Sequence, residues 1–257
     1  HRVTRLTLVP TLLQALLDST RMAELQHLRL LISSGEALPL KLAQACRAAL
    51  PQTRLLNLYG STESGADVSH FEYTGESPIW PGPNLPAGRA IANNHLYVVD
   101  PHGQPLPAQQ EGELFASGAG LALGYWQRPA LTQQAFVPNP FAHDDGCATL
   151  YRTGDRACWL ADGTLMLLGR SDSQIKIHGC RIEAGEIEAH IRAEPGVQAA
   201  LVLPAPGAQR ILAFVQAAET QPAQYPLLLA LLRMRLQQAL LDADALGAHR
   251  QRALTPD

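Results

Sequence analysis

Apolar and polar positions along the chain sort it into three stretches with different periods. Leu6-Thr7-Leu8-Val9 is a short apolar run and predicts a buried strand. Leu12, Leu13, Leu16 and Leu17 then recur at helical spacing behind Pro10, which predicts a helix over 10–17. Residues 28–34 (LRLLISS) read as a second strand ending at Gly35. Residues 38–50 read as an amphipathic helix with Leu42, Cys46 and Leu50 on one stripe and Pro51 as its stop. A third strand, 54–59 (RLLNLY), ends at Gly60. Strand and helix in alternation predict parallel strands joined by crossover helices. In such sheets ligands bind beyond the carboxyl ends of the strands. Ser34-Gly35-Glu36 and Tyr59-Gly60-Ser61-Thr62-Glu63 both fall there.

The pattern then changes. A Pro- and Gly-rich stretch over 75–88 reads as a loop. Short strands over 95–100, 112–117 and 165–169, separated by turns, predict a small barrel or sheet. After Arg170 come a strand over 175–177, a helix over 185–192, a strand pair over 197–203 and 211–216, and a Leu-rich helix over 227–241. That order is enough for a small second domain.

Composition narrows the function classes. The 257 residues are 46% hydrophobic and 17% charged, with 20 Lys+Arg against 23 Asp+Glu for a net charge of −3. There is no basic field for nucleic acid or an anionic membrane. No stretch free of Asp, Glu, Lys and Arg exceeds 15 residues, short of the roughly 20 apolar residues of a membrane-spanning helix. Neither nucleic acid nor membrane is therefore expected as a partner. The four cysteines, Cys46, Cys147, Cys158 and Cys180, form no CxxC pair and read as reduced thiols of a cytoplasmic protein. His1 is not followed by a signal-peptide pattern, and the chain enters a strand almost at once. It reads as cut from something longer.

Four segments carry the chemistry: Asn57 to Glu63 (NLYGSTE), Gly112 to Gly118 (GELFASG) running on to Gly124-Tyr125-Trp126, Tyr151 to Asp155 (YRTGD), and Gly169 to Glu188 (GRSDSQIKIHGCRIEAGEIE). In this order they resemble the adenylation domains of nonribosomal peptide synthetases, within the wider family of adenylate-forming enzymes. The resemblance runs from about Leu6 to Gln216. It implies an α/β fold, mixed α+β in the small domain. Residues 1–171 would be the C-terminal part of the large adenylation subdomain, an αβ section followed by a small β-barrel section. Residues 172–257 would be the small mobile C-terminal subdomain.

The resemblance also implies ATP and Mg2+ as cofactors, a small amino acid as substrate, and a partner peptidyl carrier protein bearing phosphopantetheine, among neighbouring synthetase domains. Tyr59 would offer an aromatic face to the base, Asn57 a donor and acceptor to the adenine edge, and Gly60 a close backbone approach to phosphate. Thr62 and Glu63 would be the catalytic pair, a hydroxyl for the α-phosphate and a hard oxygen ligand for Mg2+. Asp155, after a Thr-Gly turn, would accept the ribose hydroxyls, and Arg170 would also contact the nucleotide. Asp172 matches the hinge, and Lys176 to Gly179 the loop on the pantetheine side. Asp at the hinge favours the peptide-synthetase branch over acyl-CoA synthetases. The acyl pocket would comprise Thr7, Ile32, Ser34, Leu58, Ala66 and Asp67, a small apolar set with one carboxylate, similar to β-alanine-activating domains and sharing Ser34, Leu58 and Asp67 with serine-type pockets. The 118–124 segment reads as structural.

Two parts of the family pattern are missing. The phosphate loop ending in Pro-Lys-Gly would lie upstream of His1. At the other end, the family's Asn-Gly-Lys motif is only faintly matched, and Ala248 stands at the lysine position. Lys41 and Lys176 are the only lysines, and neither has the context to replace it. The lysine lies beyond Asp257, or the tail is degenerate, or the substitution is engineered. The function implied is ATP-dependent activation of a small amino acid and its transfer to the carrier protein; the alternatives are a non-catalytic scaffold in a megasynthase and an acyl-CoA synthetase-type ligase, against which Asp172 and Asp67 count.

Overall fold

The computed structural model describes residues 2–19, 21–75, 82–142, 147–171, 174–177, 180–205 and 211–217. The chain divides into two compact units: His1–Asp172 with His178–Cys180, and Ser173–Ile177 with Arg181–Asp257.

The first unit opens with strand β1 (Arg5–Leu8), helix α1 (Pro10–Asp18), strand β2 (Leu30–Ser33), helix α2 (Leu40–Ala49) and strand β3 (Arg54–Tyr59). β1, β2 and β3 pair in parallel, as the alternating pattern predicts. Two further strands extend the sheet antiparallel, β4 (Ser69–Tyr73) on β3 and β5 (Arg89–Ala90) on β4. Both escaped the hydrophobic pattern: β4 is SHFEY and β5 only two residues long. Pro10 starts α1 where its missing N–H costs nothing. The residue before α1, Val9, has no capping side chain. Glu36 does that work from the end of β2, accepting from the Thr11 amide at 3.1 Å and the Thr11 hydroxyl at 3.3 Å.

A second sheet follows, built from β6 (Asn94–Val99), β7 (Glu111–Gly118), β8 (Phe136–Pro138), β9 (Thr149–Trp159) and β10 (Leu165–Arg170), with helix α3 (Pro129–Ala135) before β8. Its order is β10-β9-β7-β6, with β8 also on β9. No pairing of β6 with β10 closes it into a barrel among the described residues. The Thr153-Gly154-Asp155 segment, expected as a turn, lies inside β9. There the pairing jumps from Glu113↔Arg156 to Phe115↔Arg152, so the β9 chain bulges outward from the ladder. The two sheets share a core: Cys158 and Met166 pack with Leu13, Leu31, Leu42 and Leu55.

The second unit contains β11 (Gln174–Ile177), β12 (Cys180–Glu183) from Arg181 on, α4 (Ala184–Arg192), β13 (Val197–Pro204) and β14 (Ile211–Ala217). β12 was not expected; it pairs with β11. Ile175, Ala184, Ile191 and Val202 form its core. Asp172, Gly179, the predicted helix over 227–241 and Ala248 lie outside the described residues, as does the side chain of Lys176 on β11. No helix among the described residues is long and apolar enough to cross a membrane.

Leu114 is fully buried in the second sheet, whereas Leu123 is fully exposed. In the full-length protein, Leu114→Ala is expected to lower unfolding free energy by about 2–5 kcal/mol and Leu123→Ala by less than about 0.5 kcal/mol in denaturant titrations.

Candidate nucleotide-binding site

The end of β3 places the first group of side chains. Burial alternates along the strand, so Leu55, Asn57 and Tyr59 face the core side and Leu56 and Leu58 the other. Asn57 is buried. Its amide nitrogen donates to the Pro86 carbonyl at 2.8 Å, and its Oδ1 has no hydrogen-bond partner. A buried acceptor without a donor is costly, and it is an opening for a ligand N–H.

Tyr59 donates its hydroxyl to Asp155 Oδ2 at 2.5 Å, across 96 residues of chain. Asp155 Oδ1 accepts from Arg170 Nη1 at 2.9 Å, and the other guanidinium nitrogen, Nη2, donates to the Thr153 carbonyl at 3.0 Å. Thr153 closes the cluster: its hydroxyl donates to the Leu114 carbonyl at 2.7 Å and accepts from the Asp155 amide at 3.0 Å. The Arg170 and Asp155 side chains are only 16% and 14% exposed. Burial, then the neighbouring Asp155 charge and hydrogen bond, push the Tyr59 phenol well above its usual range. Asp155 still has lone pairs to offer, since a carboxylate has about four acceptor sites.

Beyond β3 the chain tightens into a single helical turn at Thr62–Ser64, held by reciprocal hydrogen bonds between Ser61 and Ser64. Thr62 is exposed and Glu63 buried. Glu63 Oε1 accepts from the Tyr125 hydroxyl at 2.8 Å. Burial, followed by the hydrogen bond to Glu63, raises the Tyr125 phenol. The glycine at position 60 was expected to make room for phosphate. A Cβ there would come within 1.9 Å of the Ala66 carbonyl oxygen, so the returning chain by itself already requires a glycine at this position.

The expected acyl-pocket residues form a second group. Thr7, Ile32 and Leu56 are aligned across the parallel strands, and Leu58 shares their face. That face is opposite to the one bearing Asn57 and Tyr59. Ser34 donates to Asp67 Oδ1 at 2.8 Å, so the half-buried Asp67 is not a solvated loop acid. Ala66 precedes it with φ 84°, a left-handed conformation that costs an L-residue about 1–2 kcal/mol.

The structure therefore joins Tyr59, Asp155 and Arg170 directly and sets Asn57, Thr62 and Glu63 on the same strand end. Ser34 and Asp67 are also paired. Tyr125 and Thr153 belong to these networks and were not singled out by sequence. Tyr125 stands in the quoted motif, but nothing in its spacing points to Glu63.

The family described as AMP-binding enzyme matches residues 1–126. Indigoidine synthase of Dickeya dadantii is 42% identical over 84% of this chain. The chain belongs to the adenylate-forming enzymes, on the adenylation-domain branch. Vibrio cholerae adenylation domain AlmE, solved with glycyl-adenosine-5'-phosphate, is 31% identical with a TM-score of 0.73, over 87% of this chain and 43% of AlmE. A nonribosomal peptide synthetase protein with adenylation and carrier domains, solved with a vinylsulfonamide inhibitor, is 30% identical with a TM-score of 0.74, over 87% of this chain and 39% of that one. This chain spans 15% of the length of indigoidine synthase and less than half of these solved structures.

Tyr59→Phe in the full-length protein is expected to cost about 1–3 kcal/mol in urea unfolding at neutral pH, because a low-exposure carboxylate loses a donor. The phenol proton is held more tightly in the folded chain than in the unfolded one, so its contribution is complete below pH about 10 and declines as pH rises through the higher folded value. Tyr59→Phe should remove that alkaline decline.

Proposed function

We propose that this chain forms the nucleotide-facing part of a domain that activates a small amino acid with ATP and passes it to a carrier protein. The substrate carboxylate oxygen attacks the α-phosphorus, a new P–O bond forms, and the bond to the β-phosphate breaks. The products are an aminoacyl adenylate and pyrophosphate. The thiol of a phosphopantetheine arm then attacks the acyl carbon and AMP leaves. Such chemistry asks mainly for positioning and charge stabilisation.

The observation that carries this reading is the Tyr59–Asp155–Arg170 cluster. Three family motifs, distant in sequence, meet within hydrogen-bond reach. Asp155 would take the ribose hydroxyls on its remaining lone pairs, held in place by Tyr59 and Arg170. Asn57 Oδ1, lacking a donor, suits the exocyclic amino group of adenine. The Tyr59 ring, anchored through its hydroxyl, would back the base. The exposed hydroxyl of Thr62 suits an α-phosphate oxygen.

No group of three or more His, Cys, Asp or Glu that could hold a metal ion is found among the described residues. A lone Glu63 carboxylate nevertheless fits Mg2+ bound chiefly through ATP phosphates, since Mg2+ often takes only one or two protein carboxylates. Bound there, the ion would neutralise phosphate charge.

For the acyl site we propose Thr7, Ile32, Ser34, Leu58, Ala66 and Asp67, with β-alanine as substrate. Asp67, oriented by Ser34, would pair with an ammonium set one carbon further from the carboxylate than in an α-amino acid. The glycyl adenylate bound by AlmE supports a small acyl group. The carrier domain of the related synthetase supports the thiol acceptor. The division of the chain after Asp172 supports a hinge there, and the motif match alone would put Lys176 and Gly179 on the pantetheine side. Ala248 favours a second reading, a degenerate domain retained as a scaffold.

The test is amino-acid-dependent exchange of labelled pyrophosphate into ATP by the full-length protein. β-Alanine is expected to support exchange, and Asp67→Ala to raise its KM at least about tenfold while sparing KM for ATP. No exchange with any α- or β-amino acid would favour the scaffold.

A further inference from the structure

The 118–124 segment, read from the sequence as structural, is built together with Tyr125 around Glu63. The Ala122 amide donates to the Glu63 carbonyl at 2.8 Å, and the Tyr125 hydroxyl donates to Glu63 Oε1 at 2.8 Å. One loop thus grips both the backbone and the carboxylate of the same residue. The approach is close: a Cβ on Gly65, at φ +81°, would fall 2.7 Å from the Gly120 carbonyl oxygen.

Tyr125 is itself held. Its amide donates to Thr132 Oγ1 at 2.9 Å, in the middle of α3. Its ring meets Phe136 edge-on at 5.7 Å, and Phe136 in turn packs against Tyr151 at 5.2 Å. The hydroxyl therefore reaches Glu63 from a ring fixed by β8, β9 and α3, whereas Glu63 sits on a single helical turn. A flexible carboxylate held by an anchored donor loses its rotamer freedom before any ligand arrives.

We propose that Tyr125 is a positioning residue for Glu63, holding its carboxylate in the orientation that receives the divalent cation of the metal–ATP complex. The inference rests on the adenylation reading. It adds to that reading a hydroxyl that would act on the cation through Glu63. Outer hydrogen bonds of this kind typically change metal affinity by about 10- to 100-fold.

The experiment compares wild type, Tyr125→Phe and Glu63→Gln in the full-length protein. Mn2+ stands in for Mg2+, and free Mn2+ is counted by electron paramagnetic resonance in the presence of ATP. Tyr125→Phe keeps the ring contacts and is expected to weaken Mn2+ uptake by the ATP complex about tenfold, with Glu63→Gln weaker still. In pyrophosphate exchange, Tyr125→Phe should raise the Mg2+ needed for half-maximal rate by a similar factor. The KM for amino acid should not move, and excess Mg2+ should restore turnover. Thr132→Val, which loosens Tyr125 without touching the phenol, should shift Mn2+ uptake in the same direction by a smaller factor. Wild-type Mn2+ affinity in both Tyr125→Phe and Thr132→Val overturns the proposal alone. Absence of Mn2+–ATP binding by the wild type overturns the adenylation reading, and this inference with it.

Discussion

The Asp155 carboxylate sits between a phenol and a guanidinium, and the positions of three chain segments follow from that. Its Oδ2 is met by Tyr59 from the end of β3, and its Oδ1 by Arg170 from the end of β10. An ion pair this sheltered is rarely a net source of stability, because desolvation offsets most of the attraction. Its effect is on geometry. Removing any one member strands the others with unmet hydrogen-bonding groups, so the bulge in β9, the last residue of β3 and the last residue of β10 are fixed together. Thr153, bonded to both Leu114 and the Asp155 amide, ties that arrangement to the core of the second sheet.

The alternation of side chains along β3 organises the rest. Asn57 and Tyr59 project to one face and Leu58 to the other, so a single strand end serves two sets of neighbours. On the adenylation reading, nucleotide and acyl group occupy opposite faces and meet just past Tyr59, where the carboxylate must reach the α-phosphorus. Gly60 and Ala66 show what this crowding demands locally. At Gly60 the returning chain leaves no space for a Cβ, and Ala66 adopts a left-handed conformation that places Asp67 beside Ser34.

Most of the αβ section was legible from hydrophobic spacing. Leu12, Leu13, Leu16 and Leu17 and the apolar strands carry a strong local period, and the parallel order follows from strand–helix alternation. β4 and β5 were not legible because SHFEY and a two-residue strand have no such period; their pairing is set by neighbours. The bulge at Thr153–Asp155 was taken for a turn because Thr-Gly-Asp has turn chemistry in isolation, and only the ladder with β7 shows otherwise. The site shows the same division. Tyr59, Glu63, Asp155 and Arg170 were named from motifs. Tyr125 and Thr153, which orient them, stand in the same motifs but drew no role, since bonds spanning 62 residues to Glu63 and 39 residues to Leu114 leave no trace in spacing.

The most direct measurement of the central claim is calorimetric titration of the full-length protein with AMP, for wild type and Asp155→Ala. The account predicts saturable binding by the wild type and a loss of at least about tenfold, or about 1.4 kcal/mol, in the variant. Equal affinity in the two proteins, or no binding by either, would contradict it.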